Sequence, residues 1–179
     1  MNTEFKEFKD EILKRAKAAN ACADEYRRAY KSEGFSELMQ VIKDNFNFTV
    51  THKIIEPVII EAYKEQFNAD KIFCNVNATD GYLLVDNATV RAGGNATVEA
   101  SGNATVEVWG NATVRAGGNA TVRAWDNATV RASGNAYITS YYTIECQLSD
   151  NAIHRIRESN TIRYVSDNIK FEKVDFKGE

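Results

Sequence analysis

Catalysis and metal binding need polar side chains that converge, and few residues of this sequence are spaced to do so. The two histidines, His52 and His154, stand far apart, and neither has a second histidine or a paired cysteine at metal-ligand spacing. The cysteines, Cys22, Cys74 and Cys146, are odd in number and widely separated, which gives no disulfide framework and no zinc motif. No serine or cysteine has an adjacent histidine to activate it. No pair of carboxylates is singled out by spacing, and the Gly-Gly pairs at 93–94 and 117–118 belong to no phosphate-binding loop. These residues predict no enzyme, no metal site and no cofactor. A set of aromatics remains. Trp109, Trp125 and Tyr141 are spaced sixteen apart, with Tyr137 and Tyr142 beside the last. Trp and Tyr held together at a surface offer the chemistry of binding, to a partner or to a second copy.

An internal repeat positions these aromatics. Asparagines recur every eight residues at Asn87, Asn95, Asn103, Asn111, Asn119, Asn127 and Asn135, in a unit that reads Asn-Ala-Thr-Val-x-Ala-x-Gly. Apolar residues fall at positions 2, 4 and 6, as in Ala112, Val114 and Ala116, which is the alternation of a half-buried strand. Positions 3 and 5 carry Thr and a charge and face water, and the Gly-Asn junction is a turn pair. One such strand cannot bury its face alone, so the units must stack. Position 7 sets the size of the coil. It runs Gly93, Ser101, Trp109, Gly117, Trp125, Ser133, Tyr141, so large and small residues alternate. A sixteen-residue coil of two strands puts the aromatics in one column at the strand spacing of about 4.8 Å, close enough to stack. It also places Arg91, Glu107 and Arg123 in a favourable charge ladder, and Arg115 beside Arg131 in an unfavourable one. The asparagines then form a turn ladder of stacked amides. Asn-Ala-Thr also matches the glycosylation acceptor pattern, but the charged stretch from Glu4 to Asp10 lacks the apolar core of a secretory leader.

Residues 1–70 read as a helical cap segment. Phe5, Phe8, Ile12, Ala16, Ala19, Cys22, Tyr26 and Tyr30 form one stripe at helical spacing, predicting a single long helix that Gly34 ends. Ser36 is the expected N-cap of a second helix, and Pro57 the first turn of a third. Residues 71–86 read as transition strands that dock the helices on the first coil through Ile72, Phe73, Tyr82, Leu83 and Leu84, covering an otherwise open end. The octapeptide solenoid covers 87–158. Residues 159–179 read as a C-terminal cap that continues the repeat from Asn160, with Ile156, Ile162, Tyr164 and Phe171 replacing alanine and Lys170, Lys173 and Lys177 charging the edge. The expected fold class is α+β, an N-terminal helical cap followed by a two-sheet β-solenoid of sixteen residues per coil.

The octapeptide run, preceded by a helical segment and followed by Thr143-Ile144-Glu145-Cys146 and Ser149-Asp150-Asn151-Ala152, resembles a group of repeat proteins of gut bacteria and their phages. The resemblance implies a mobile-element or phage origin and action on a host component, and brings no biochemical function with it. The repeat style also resembles that of plant ice-binding β-rolls. Composition narrows the partner. Lys and Arg number 22 against 25 Asp and Glu, a formal net charge of −3, which does not suit a nucleic-acid binder. Arg91, Arg115, Arg123 and Arg131 break any negative stripe that would mimic nucleic acid. No apolar run approaches the ~18 residues of a membrane span, and the cysteine usage suits a reducing, cytoplasmic home. The expectation is a non-enzymatic binder of a host protein through the solenoid face, the helical cap, or both. A structural protein that self-associates through the aromatic column into a homo-oligomer is the alternative. An ice or polysaccharide lattice binder is a lesser one, because the Thr column lies beside a charged column.

Overall fold

The computed structural model describes residues 3–172, so Lys173 and Lys177 of the expected edge lie outside the described residues. The helices are α1 (Thr3–Ala18), α2 (Ala23–Lys31), α3 (Phe35–Asp44), α4 (Phe46–Thr51), α5 (Pro57–Ala62) and α6 (Lys64–Ala69). The expected long first helix is two. Asn20 takes a left-handed conformation (φ 54°), which asparagine tolerates better than most residues, and the chain reverses there. The apolar stripe of α1 is buried at Phe5, Phe8, Ile12 and Ala16, whereas Tyr30 at the end of α2 is exposed. Lys9, itself buried, clamps the reversal by donating to the Ser32 carbonyl at 2.7 Å. Gly34 is extended (φ −154°, ψ 170°) and precedes α3 as its N-cap, so it starts a helix where termination was expected. Ser36 therefore lies inside α3, and its hydroxyl bonds the Asp70 carboxylate at 3.3 Å. Pro57 sits in the first turn of α5. The second and third expected helices are each divided, at Asn45 and Tyr63, single residues that leave helical geometry.

Twelve strands follow among the described residues. One sheet contains β1 (Ile72–Cys74), β2 (Tyr82–Asp86), β4 (Thr97–Ser101), β6 (Thr113–Ala116), β8 (Thr129–Ala132) and β10 (Glu145–Leu148), in that order. The other contains β3 (Thr89–Ala92), β5 (Thr105–Val108), β7 (Thr121–Ala124), β9 (Tyr137–Ser140), β11 (Ile153–Ile156) and β12 (Thr161–Tyr164). From β2 to β11 odd and even strands separate because each octapeptide crosses to the opposite sheet. Register partners are sixteen residues apart, Val98 on Val114 on Val130 in one sheet and Val106 on Val122 in the other. The chain is thus a β-solenoid with a coil of sixteen residues. Its interior is the inward Val and Ala of both sheets, from Val90 and Ala96 to Ile138 and Ala152, essentially closed to solvent. Small side chains at alternate positions let the two sheets approach closely.

The helices do not plug the end of this core. They lie across the outer face of the first strands of the even sheet. Leu83 and Val85 point into the solenoid core, while Leu84 on the opposite face of β2 joins Phe46, Phe67 and Ile72 in the helical core. Of the expected docking residues, Ile72, Tyr82 and Leu84 pack with the helices, and Leu83 and Phe73 pack with the solenoid. Tyr82 meets the Phe46 ring edge-on, with centroids 5.1 Å apart. The same docking buries Glu99, a position-5 residue expected in water. Asn47 of α4 donates to its Oε2 at 3.0 Å and Arg115 to its Oε1 at 3.3 Å.

The C-terminal end also differs from expectation. β12 does not stack in parallel as a further coil but folds back antiparallel on β11, pairing Ile156 with Thr161. Asn160 is left-handed (φ 51°), so the chain makes a hairpin turn where the repeat would make a corner. Ile156 does fill an interior position, but Ile162, Tyr164 and Phe171 are exposed rather than substituting for alanine.

Candidate functional site

Trp109, Trp125 and Tyr141 each follow an odd strand at the same repeat position, so the parallel pairing of β5, β7 and β9 sets them in one column. All three are open to solvent, at 37%, 41% and 50% exposure, which for side chains of this size leaves a large apolar area in water. The backbone beneath them is fixed: the Trp125 N–H donates to the Val108 carbonyl at 2.9 Å and the Trp109 N–H to Ala92 at 3.2 Å. The expected ring stacking is not present. Trp109 and Trp125 make no aromatic pair among the described residues, and the indole of Trp109 leans back over Gly93, where any Cβ would collide with it. The ring pair at this corner is Tyr141 with Tyr142, edge to face at 4.8 Å and 82°.

Trp125, Tyr137, Tyr141 and Tyr142 come together around a hollow of about 730 Å³. Trp109 stands one coil away, outside its lining. Arg123 and Arg155 on the outer face and Arg157 beyond Tyr141 complete it, a convergence with the aromatics that the sequence pattern did not show. Arg123 is held by Glu107 at 3.4 Å, and Arg155 donates to Asn160 at 3.3 Å. Their signal was available in the sixteen-residue period, which sets Arg123, Thr139 and Arg155 in one column. The expected ladder Arg91–Glu107–Arg123 is present, with Glu107 bridging the two guanidinium groups at 3.0 and 3.4 Å.

Beneath this hollow lies a polar pair that sequence adjacency missed. The Ser140 hydroxyl stands 2.8 Å from His154 Nε2 and donates to the Tyr142 carbonyl at 2.6 Å. Having spent its proton on that carbonyl, the hydroxyl accepts from Nε2–H, which makes His154 the Nε2 tautomer. His154 Nδ1 is then a buried acceptor with no partner. Burial holds the imidazole neutral, its pKa lowered to about 4 with the Arg163 charge adding to the effect. Both residues are buried, so the pair bolts the Tyr141–Tyr142 corner to the core and offers no nucleophile to a substrate. Two polar residues at inward positions of neighbouring coils, where the repeat demands Ala or Val, were the signal for it. Cys74 and Cys146 are likewise unfit to attack: desolvation pushes both thiols up to about 11, so they stay protonated. Among the described residues no three His, Cys, Asp or Glu side chains gather as metal ligands. No helix among them is long and apolar enough to cross a membrane.

The asparagines divide between the two corners. Asn103, Asn119 and Asn135 each donate from Nδ2 to the Oδ1 of the residue sixteen before, at 3.5, 3.2 and 3.2 Å, starting from Asn87. Asn151 extends that ladder at 3.3 Å, although it lies outside the strict repeat. Asn95, Asn111 and Asn127 form the second ladder, at 3.5 and 3.4 Å.

The comparisons add no relative to this picture. No family model, no curated protein and no solved structure matches the chain.

Proposed function

We propose that this chain is a non-enzymatic binding protein that holds a protein partner at the aromatic corner of its solenoid. The observation that carries the proposal is the exposed cluster of Trp125, Tyr141 and Tyr142 with the half-buried Tyr137, rimmed by Arg123, Arg155 and Arg157 around one hollow. Trp, Tyr and Arg are the side chains that dominate interface energetics, and a rigid sheet presents them without an ordering cost. The buried, neutral His154 beneath the corner favours binding over catalysis at this site. The resemblance to repeat proteins of gut bacteria and phages makes the partner a host protein met in the cytoplasm, and the chain an accessory of a mobile element. The helical cap is a second contact surface available to the same partner.

Self-association through the same corner is the alternative reading. It is favoured by the apolar area left open there together with Ile162, Tyr164 and Val165 at the C-terminal end. A lattice binder for ice or polysaccharide fits less well, because Thr105 and Thr121 alternate with the charged Glu107 and Arg123 on the same face. The deciding experiment compares wild type with the Trp125→Ser/Tyr141→Ser variant. Solution mass by light scattering comes first, and capture from host lysate on both proteins follows. A partner retained by wild type and lost by the variant, then bound directly when purified, supports the proposal. A wild-type oligomer that the variant converts to monomer supports self-association instead. Identical mass and identical captured proteins for the two would overturn the role of this corner.

A further inference from the structure

A second hollow, on the opposite face of the solenoid, has a different chemistry. Where the helices overhang the even sheet they form a groove of about 590 Å³, walled by Asn47, Thr51 and Lys53 on the helical side and floored by strands β4, β6, β8 and β10. Along the floor runs the column Glu99, Arg115, Arg131, Gln147, in register across the four strands. Ser101, Gly117 and Ser133 flank it and leave the arginines standing clear.

The charges in this groove do not balance. Among the described residues Glu99 is its single carboxylate, and that is spent: Oε1 on Arg115 at 3.3 Å and Oε2 on Asn47 at 3.0 Å. Arg131 lies directly beside Arg115 in the parallel ladder and forms no ion pair among the described residues. Like charges in register destabilise a sheet, and the opposite sheet avoids this by placing Glu107 between Arg91 and Arg123. Lys53 at the rim also forms no ion pair among the described residues. The groove therefore carries an excess of two positive charges in a chain whose net charge is −3.

We infer that this groove binds an extended acidic peptide segment of a partner protein, whose carboxylates pair with Arg131 and Arg115 and whose backbone runs along the solenoid axis across β6, β8 and β10. Arg115 and Arg131 rise from strands about 4.8 Å apart, and their long side chains can fan out to about 6.7 Å, the interval at which same-side residues of an extended peptide recur, each guanidinium fork receiving a carboxylate in two-point geometry. The overhanging helix closes one end, so the segment enters from the side of Gln147 and Ser149 and stops against Asn47 and Thr51.

The test uses a fluorescein-labelled oligo-glutamate peptide as probe and anisotropy as readout on the full chain. Wild type binds it at low salt, and binding weakens as ionic strength rises. Arg131→Gln weakens binding by about tenfold, the scale of one lost charge-assisted contact. Arg91→Gln, on the other sheet and outside both hollows, leaves it unchanged, and an oligo-lysine probe does not bind. Because Arg131→Gln removes a like-charge contact, it does not lower thermal stability, which separates lost binding from lost folding. Absence of peptide binding to wild type, or equal binding by Arg131→Gln, would overturn the inference. Displacement of the peptide by inorganic phosphate at equal concentration would also overturn it and make the groove a small-anion site. Trp125→Ser/Tyr141→Ser retains peptide binding whether or not the aromatic corner has a partner, so the two proposals fail separately.

Discussion

His154 shows what one buried side chain does to the acid response of the whole fold. Its pKa is about 4 in the native chain against about 6.5 in an unfolded one. The unfolded state therefore takes up the proton first. The stability contributed by keeping the ring neutral is complete above pH 6.5 and is lost as pH falls from there towards 4. That loss amounts to about 3 kcal/mol for a shift of this size. Urea titrations at pH 7 and pH 4 should show this drop in wild type and a smaller one in His154→Leu. The leucine variant carries a deficit from the lost His154–Ser140 bond at both pH values. Gly93 gives a second prediction at this scale. Its Cα lies under the Trp109 indole, so Gly93→Ala must displace the ring. In a Trp125→Phe background, the fluorescence of Trp109 should shift red while the circular dichroism stays unchanged. The inward parity of His154 was legible in the alternation of Ala152, His154 and Ile156. Its bond to Ser140 was not, because the two meet across coils rather than along the chain.

At the scale of the element, the strands carry the same message at every coil. Val114 is fully buried between Val98 and Val130. Val114→Asp places a charge where no partner can reach it, and should cost more than about 3 kcal/mol and unfold adjacent coils by proteolysis and circular dichroism. Asn119→Ala removes one donated and one accepted amide bond of its ladder. Both are solvent-exposed, so the loss should be about 1 kcal/mol in chemical denaturation. The strands were readable because eight residues of pattern recur six times, and each repetition confirms parity and turn. The helices were less so. Apolar spacing continued smoothly past Asn20, and only its left-handed backbone breaks α1 from α2. Nor does anything in the repeat distinguish Glu99 from Glu107. They occupy the same position of the unit, and Glu99 is buried solely because α4 lands on it. The antiparallel return of β12 was hidden in the same way, since Asn160 resembles the start of another unit.

At the scale of the whole molecule, two cores meet along β2, whose Leu83 and Leu84 point to opposite sides. Helices and solenoid should therefore melt together. Leu84→Ala should cost about 2–4 kcal/mol and split one calorimetric transition into two, as the helical part loses its seat. The same side-docking leaves both broad faces of the solenoid available, an aromatic one rimmed by arginine and a cationic one beneath the helices. Those two faces differ because alternate octapeptides differ. This bears on how such a gene can change in length. Duplication or loss of two octapeptides moves every downstream residue by one full coil, and leaves the amide ladders, the Val columns and the identity of each face intact. Slippage by a single octapeptide preserves the reading frame and the strand pattern, yet sends every later tryptophan and arginine to the opposite side. Selection on either face would thus tolerate growth and shrinkage of the array only in whole coils, even though the repeat that replication copies is half that long.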